Sequence, residues 1–363
     1  MKIKIPQKVE DKVAKQEMFP DIVGQTVAKR KLTFLMRGYD ATGIMPHLMF
    51  IAPKGCGKTL LAKAVGRNLM ASEEDTRYGK PKRFMEINCS TIKNVKQFFN
   101  QIAIPHINRK EVTVLFDECS ELPKTVSMLL LTALNPNKEN RNEMTYEDFV
   151  IDIDFTKQSF IFATTEAQDV FHALMDRCDR VDLEDYTYDE LAEIISLNLK
   201  GHDINFGDGV LPEMSSVLRG NARAAQKLAQ KVQTYLASEG RKDFTLEDWE
   251  DLKYHLGILP LGLNRMELKI LRHVAKRKEC SLTNIAAATG LTTECVRRDF
   301  EMYLAKMGLM TISTAGRSLT PAGLKYMDVA KVEEKKQMTD EQRAAIHEDV
   351  KGEHIIKIFG KRM

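Results

Sequence analysis

Residues 51–65 read IAPKGCGKTLLAKAV, and this stretch decides the fold. The apolar run LMFIA (48–52) leads into a loop with two glycines, and a helix-forming segment rich in Leu and Ala follows. A glycine-containing turn that ends in Lys-Thr between a strand and a helix is typical of a phosphate-binding loop, because backbone N–H groups at a helix N-terminus attract anions. The stretch therefore predicts a strand, a nucleotide-phosphate loop and a helix.

Each part of this loop has an expected role. Backbone N–H groups of residues 54–58 surround the β-phosphate of ATP, the Lys58 ammonium reaches the β- and γ-phosphates, and the Thr59 hydroxyl ligates Mg²⁺. Ala52 stands where the pattern has its first glycine, and one methyl group is tolerated there if the backbone angles are ordinary. The predicted nucleotide-binding residues of the loop are Lys54, Gly55, Cys56, Gly57, Lys58, Thr59 and Leu60.

Two acidic residues follow the apolar run VTVLF (112–116). Asp117 is placed to hold Mg²⁺ through water, and Glu118 to polarise the water that attacks the γ-phosphate. A solvated acidic loop is the alternative interpretation. The phosphate loop some sixty residues upstream favours the catalytic one.

The same alternation of apolar runs and helical patterns continues along the chain. Strands are predicted at RFMEINC (83–89) and SFIFATT (159–165), with helices between the strands. This order predicts an α/β fold, in which a mostly parallel sheet is covered on both faces.

The pattern changes after Leu183, where the predicted strands stop. An all-helical unit is predicted for 184–256, opened by a capping box of Thr187 and Glu190, and GILPLG (257–262) is expected to be a linker. Three helices and a hairpin follow, which is the winged-helix arrangement. The predicted organisation is an N-terminal extension (1–20), a phosphate-loop ATPase domain (21–183), a helical lid (184–256), a winged helix (257–327) and a charged tail (328–363).

Composition adds few constraints. The net charge is +3, yet residues 257–327 carry eleven Lys or Arg against five Asp or Glu, a local basic excess that suits a polyanion. No apolar run is long enough to cross a bilayer, and the charged N-terminus does not resemble a secretion signal. Six scattered cysteines fit a reducing compartment, so we expect a cytoplasmic protein that does not contact membranes.

These motifs together resemble the AAA+ ATPases. FIFATTEA (160–167) resembles the sensor-1 strand, which implies that Thr165 senses the γ-phosphate, with Thr164 as the alternative if the register shifts by one. DRCDRVDL (176–183) places Arg177 as an arginine finger for a neighbouring subunit, or else as a surface ion pair with Asp176 or Asp179. GNARAAQKL (220–228) resembles sensor 2, which implies that Arg223 faces the γ-phosphate.

Within AAA+ proteins, residues 19–327 resemble RuvB, the family of Holliday-junction branch-migration motors. DIVGQ (21–25) resembles the motif beside the adenine pocket and implies that Ile22 and, at the start of the lid, Tyr186 bind the nucleotide. YEDFVIDID (146–154) and AGRSLTP (315–321) resemble the segment before sensor 1 and the wing tip. The phosphate loop departs from the family at Ala52, Lys54 and Cys56, which predicts a divergent member, with a phage as one source.

The wing predicts the DNA contacts. Ile312 and Ala315 occupy positions that are basic in the family, so Arg317 is expected to contact phosphates alone, with Arg297 and Arg298 near the start of the third helix as further DNA-binding residues. A purely protein-binding winged helix is the alternative.

The resemblance implies a homo-oligomeric ring, six subunits around duplex DNA, that uses ATP and Mg²⁺ to drive branch migration in recombination and repair, loaded by a junction-binding adaptor protein. Two alternatives stay open. The pair Arg177-Cys178 is also found in clamp loaders, so a clamp or helicase loader of DNA replication is the second hypothesis. A DNA-binding regulator with an inactive nucleotide site is the third.

Overall fold

The computed structural model describes residues 18–71, 80–135, 137–277 and 279–330. Within them the chain forms two compact units: residues 18–198 with 220–229, and residues 199–219 with 230–330. Most of the predicted N-terminal extension and charged tail lies outside the described residues.

The described part of the first unit contains strands β1 (Leu48–Ile51), β2 (Arg83–Asn88), β3 (Val112–Asp117), β4 (Arg141–Tyr146), β5 (Phe149–Asp154), β6 (Gln158–Thr164) and β7 (Asp179–Asp182). Five of them form a parallel sheet in the order β2-β3-β6-β1-β7, and β4 and β5 form an antiparallel hairpin. The four predicted strands are confirmed. Strand β7 was missed because three of its four residues are charged, which an edge strand with one neighbour tolerates.

The helices that accompany these strands along the chain are α1 (Thr26–Thr42), α2 (Lys58–Arg67), α3 (Val95–Phe98), α4 (Lys124–Ala133) and α5 (His172–Met175), and a π-helical segment (Phe99–Ile107) continues α3. Alternate strand residues face opposite sides of the sheet: Met49 packs with residues of α3 and α4, whereas Leu48 and Phe50 pack with residues of α1 and α2. The sheet is therefore covered on both faces, as the apolar strands predict.

Four helices follow: α6 (Tyr188–Leu199), α7 (Val210–Ser216), α8 (Ala222–Glu239) and α9 (Leu246–Leu256). The predicted capping box is present, since the Thr187 N–H donates to Glu190 Oε2 (2.8 Å) and the Glu190 N–H to Thr187 Oγ1 (3.3 Å). The expectation of helices alone is wrong in one detail. Strands β8 (Asn205–Phe206) and β9 (Asp243–Phe244) pair in parallel, and a two-residue strand carries no periodic signal in the sequence.

The C-terminal segment has the predicted three helices and hairpin. Helices α10 (Arg265–Ala275) and α11 (Leu282–Thr289) are followed by α12 (Thr293–Cys295), which runs through a π-helical turn (Val296–Glu301) into α13 (Met302–Lys306). Strands β10 (Met310–Ile312) and β11 (Arg317–Leu319) form the antiparallel wing, and residues 321–330 are helical.

The predicted linker at 257–262 is instead part of this folded segment. Leu259 and Leu263 are buried in its hydrophobic core, and the Tyr326 and Tyr303 hydroxyls donate to the carbonyls of Pro260 (3.0 Å) and Leu261 (2.7 Å). Gly and Pro indicated a turn correctly, but the sequence does not show what the leucines beside them pack against.

His47, just before β1, makes the stability of the first unit pH-dependent. Its ring lies edge-on to Phe155 and Phe160, with centroids 4.9 and 5.7 Å away, and burial lowers its pKa from 6.5 to about 4. The folded state thus binds the proton less tightly than the unfolded state. Protonation of His47 therefore favours the unfolded state. The contribution of neutral His47 to the free energy of unfolding is fully present above pH 6.5 and is lost as the pH falls towards 4.

We expect wild-type protein to lose about 2 kcal/mol more unfolding free energy between pH 7 and pH 5 than the variant His47→Leu, which cannot be protonated. Urea unfolding of both proteins at the two pH values measures this difference. Equal losses in both proteins would show that His47 is not the responsible group.

Candidate functional site

The phosphate loop joins the end of β1 to the start of α2. Gly55 and Gly57 have φ values of +87° and +91°, and a Cβ on Gly55 would lie 2.0 Å from Asn221 Oδ1, so only glycine fits there. Helix α2 begins directly after Gly57 with no side-chain cap, which leaves its first N–H groups for an anion. Ala52 is buried with no positive φ, and its N–H donates to Thr164 O (3.3 Å), so the methyl group is accommodated.

A cavity of about 560 Å³ opens in front of this loop, within the first unit. Its lining comes from the segment before α1, the loop, the end of β3, and the helices α6 and α8: Asp21, Val23, Lys54, Gly55, Gly57, Lys58, Thr59, Leu60, Asp117, Glu118, Tyr186, Ile194, Leu197, Asn198, Ala222, Arg223 and Gln226. Ten of the residues predicted from sequence to bind or hydrolyse a nucleotide therefore share one cavity.

Lys58 places a buried ammonium group at this cavity. Its Nζ donates to Ala52 O (2.8 Å), and burial lowers its pKa while the negative charges of Glu118 and Asp117 act in the opposite direction. The cation is thus held at the base of the loop, next to the position that its motif assigns to the phosphates.

Thr59 and Asp117 meet at the edge of the cavity. The Thr59 Oγ1 lies 3.4 Å from Asp117 Oδ2, and the Glu118 N–H donates to Asp117 Oδ1 (3.1 Å). Burial raises the pKa of Asp117, whereas that N–H and Lys58 lower it. A hydroxyl and a carboxylate oxygen side by side suit a hard divalent cation, so these residues fit the metal that accompanies a bound nucleotide.

The structure separates the two sensor-1 candidates. The Thr165 hydroxyl lies 3.4 Å from Glu118 Oε2, whereas the Thr164 hydroxyl is fully buried, donates to Ser120 Oγ (3.1 Å) and accepts from the Glu166 N–H (3.0 Å). Only Thr165 faces the predicted catalytic carboxylate, although it does not line the cavity itself.

The segment before α8 closes the other side of the loop, and sequence reasoning missed its key residue. Asn221 caps α8 by accepting from the Ala224 N–H (3.1 Å), and its Nδ2 donates to Lys54 O (3.2 Å). The Ala222 N–H donates to Gly55 O (3.1 Å). An Asn directly before a helix is a capping signal that the sequence shows. Its hydrogen bond to the phosphate loop is a tertiary contact that the sequence does not show.

Tyr186 and Arg223 both line the cavity. The Tyr186 hydroxyl donates to Cys56 O (3.3 Å), and the exposed Arg223 shares the cavity with Lys58. The Cys56 side chain is buried beside Asp185 (Sγ to Oδ1, 3.7 Å) and does not line the cavity.

The expectation for Ile22 is wrong. A turn in which the Ile22 N–H donates to Phe19 O (3.2 Å) directs the Ile22 side chain into the core, and Asp21 and Val23 line the cavity instead. The motif indicated the correct segment but not which of its side chains faces the nucleotide.

Arg177 lies outside this cavity. Its Nη1 donates to Ala173 O (2.8 Å) and its Nη2 to Asn135 Oδ1 (3.4 Å). No ion pair with Asp176 or Asp179 is formed among the described residues, and Asp179 pairs with Lys31 (3.6 Å). The surface ion-pair interpretation is therefore not supported.

The wing contradicts the prediction for Arg317. Its guanidinium forms a bidentate ion pair with the buried carboxylate of Glu301. Nε donates to Oε1, and Nη2 donates to Oε2 (3.2 Å). Its backbone N–H also donates to Cys280 O (2.8 Å). A side chain that neutralises a buried carboxylate is not free for a phosphate, because its departure would leave that carboxylate charged and unpaired.

The arginines of the third helix are exposed but paired. Arg297 forms an ion pair with Glu294, and Arg298 Nε lies 3.0 Å from Asp299 Oδ1. Their charges are locally neutralised, which weakens them as a polyanion contact.

Comparisons with known proteins agree with this geometry. Residues 48–185 match the model of the ATPase family associated with various cellular activities (AAA), and residues 260–328 match that of the RuvB C-terminal winged helix domain. The chain therefore contains an AAA ATPase domain, and its C-terminal segment is a RuvB-type winged helix. The two matches support a RuvB-like, ATP-hydrolysing AAA+ protein and confirm the fold and the resemblance predicted from its motifs.

Relatives that match over most of their length include RuvB proteins. The Holliday junction branch migration complex subunit RuvB of Kosmotoga olearia is 25% identical over 330 residues, 86% of this chain and 89% of the relative. That of Anaplasma marginale is 26% identical over 85% of this chain and 91% of its own. The Thermotoga maritima RuvB Holliday junction branch migration motor has a TM-score of 0.68 at 21% identity, over 84% of this chain and 95% of its own, a likeness of fold.

Among the described residues, no helix is both long and apolar enough to cross a membrane.

We expect Thr165→Val to lower the rate of ATP hydrolysis at saturating ATP by about 10-fold or more while nucleotide binding is retained, because the hydroxyl faces Glu118. Thr164→Val should instead lower the melting temperature, since it removes a buried hydroxyl with two hydrogen bonds. Steady-state kinetics and thermal unfolding of both variants distinguish the roles. A normal rate in Thr165→Val with a lost rate in folded Thr164→Val would reverse the assignment.

Proposed function

We propose that this protein is an ATP-driven motor that moves duplex DNA and drives Holliday-junction branch migration in recombination and repair. The observation that carries the proposal is one cavity with Lys58, Thr59, Asp117, Glu118 and Arg223, in a chain that also contains a RuvB-type winged helix. The curated relatives named above, which this chain covers over most of their length, bear the name of a branch-migration complex subunit.

In the proposed mechanism, Lys58 and the N–H groups of the loop bind the phosphates of ATP, and Thr59 and Asp117 would hold Mg²⁺. The bound cation would neutralise charge that develops on the phosphates. Glu118 orients the attacking water and accepts its proton, and Thr165 positions the Glu118 carboxylate. Arg223, from the first turn of α8, contacts the γ-phosphate, so the helix that follows it responds to the nucleotide.

Arg177 completes the site of a neighbouring subunit in this mechanism. Its guanidinium does not line the cavity of its own chain and has no carboxylate partner among the described residues. A positive charge supplied across a subunit interface stabilises the transition state and makes hydrolysis depend on a homo-oligomeric ring, of six subunits as the RuvB resemblance implies. A separate junction-binding adaptor would load the ring on DNA in the cytoplasm.

The alternative of a clamp or helicase loader has less support. It rested on the sequence Arg177-Cys178, and the half-buried Cys178 side chain packs against the hydrophobic core and does not line the cavity. The winged helix stands where clamp loaders carry a helical collar.

Mixing two inactive variants tests the shared site. Arg177→Ala and Lys58→Ala should each abolish hydrolysis, because one removes the finger and the other the phosphate contact. In an equimolar mixture, about a quarter of the sites would combine an intact Lys58 with a neighbour's intact Arg177, so about a quarter of wild-type activity should return.

Native mass spectrometry of the mixture is the control, since mixed rings must form. Mixed rings without recovered ATP hydrolysis, or full activity of Arg177→Ala alone, would contradict the shared site.

Helix α10 provides the DNA contact that Arg317 cannot. Arg265 and Lys269 of this helix, and Lys276 directly after its last residue, are exposed and form no ion pair with a carboxylate among the described residues. At 100° per residue the three side chains lie within an arc of about 40°, along about 16 Å of helix. This stripe of cations, unlike Arg297 and Arg298, keeps its charge for phosphates of the DNA backbone.

Replacing Lys269 and Lys276 together by Ala should weaken duplex binding and reduce the slope of log K against log salt by about 1.8, because each neutralised phosphate contributes about 0.9 to that slope. The matched control is Arg297→Ala with Arg298→Ala, which removes two cations that acidic neighbours already neutralise. Binding isotherms at four salt concentrations measure both slopes. A reduced slope in the arginine variant alone would assign the DNA contact to the third helix instead.

A further inference from the structure

Arg219 is held by the winged helix through its whole guanidinium group. Its Nη1 and Nη2 donate to Glu267 Oε1 (2.8 Å) and Oε2 (2.6 Å), Nε donates to Gly262 O (3.1 Å), and the group lies over the Tyr303 ring at 4.0 Å from the centroid. Glu267 is fully buried. The ion pair is therefore strongly favoured over its separated partners, because separation would leave a charge unpaired in the core.

The carboxylate of Glu267 also begins helix α10. It accepts from the Asn264 N–H (2.8 Å), and the Glu267 N–H donates to Asn264 Oδ1 (2.9 Å), which completes a capping box. Arg219 is thus attached to the first turn of the helix that carries the proposed DNA contacts.

The backbone at Arg219 leads directly to the nucleotide site. Arg219 and Gly220 have φ values of +57° and +74°, a conformation that is unfavourable for arginine without other restraints. Gly220 O accepts from the Tyr186 N–H (3.2 Å), and Asn221 and Ala222 bond to the phosphate loop. One peptide bond therefore separates a residue fixed to α10 from a segment fixed to the loop.

We propose that Arg219 is a positioning residue that couples the nucleotide site to the DNA-binding winged helix. In this proposal, residues 220–223 move when the bound nucleotide changes. Arg219 is joined directly to Gly220, so the movement is passed to Arg219 and from there to the start of α10. The ion pair with Glu267 carries it. This inference rests on the proposed function, since it concerns communication between ATP and DNA.

A second ion pair in the same unit provides a matched control. Arg241 Nη2 lies 2.6 Å from Asp248 Oδ1, and Asp248 is also a buried carboxylate that completes a capping box, with Thr245 at the start of α9. Arg241 is eighteen residues beyond Arg223 and has no bond to residues 220–223. Its loss should therefore affect the fold in a similar way but not the coupling.

The experiment measures the affinity of the full-length protein for a fluorescent ATP analogue, with and without duplex DNA. For a coupled motor we expect duplex to change the wild-type affinity by about 5-fold or more. In Arg219→Gln this factor should fall to about 1, whereas the affinity measured without DNA stays within about 2-fold of wild type. Arg219→Lys, which keeps the charge but cannot bond both carboxylate oxygens, should give an intermediate factor.

The variant Arg241→Gln should retain the wild-type factor, even if its melting temperature falls as much as that of Arg219→Gln. If Arg219→Gln does not fold, Arg219→Lys and Glu267→Gln give the same comparison with a smaller disturbance. A wild-type DNA effect that survives in the folded Arg219 variants would overturn the coupling role and leave the motor function standing. Absence of any DNA effect in the wild type would contradict both.

Discussion

The parallel pairing of β1, β3 and β6 is the constraint on which the site depends. Ile51 pairs with Thr164 and Phe116 with Phe162, so the three strands end at the same edge of the sheet. The phosphate loop, the two acidic residues and the sensor-1 threonine all leave the sheet there. A shift of one residue in any of these strands would turn the candidate site residue at its end to the opposite face.

At that edge of the sheet, burial and neighbouring charges have opposite effects on the ionisation of Lys58 and Asp117. Burial disfavours the charged forms of both Lys58 and Asp117, and each is stabilised by the other's charge and by Glu118 or its N–H. Phosphates and a divalent cation complement the same groups, which is why a buried lysine next to two carboxylates suits a nucleotide better than it suits a structural ion pair. Buried charges also determine contacts of the winged helix. Its buried carboxylates Glu301 and Glu267 hold the guanidinium groups of Arg317 and of Arg219, which precedes the winged helix in the chain.

The fold was largely readable because its signals are local. Continuous apolar runs predict buried parallel strands, and capping residues such as Thr187 mark where helices begin. Three of the missed strands have weak local signals, since β7 is charged and β8 and β9 have two residues each. The hairpin strands β4 and β5 were missed as well. The segment 257–262, which was predicted to be a linker, shows the same limit, because the sequence does not indicate whether its leucines face solvent or a core.

For the site, the sequence by itself determined where the candidate residues for phosphate, metal and water lie, because Lys58, Thr59, Asp117 and Glu118 stand at strand and helix ends whose geometry the backbone imposes. Only the tertiary structure decided which side chains are free to act. Ile22 turns into the core, Thr165 rather than Thr164 faces Glu118, and Arg317 is committed to Glu301. The physical reason is that a side chain's partner is set by contacts distant in the chain, and a buried carboxylate holds an arginine that sequence alone would assign to DNA.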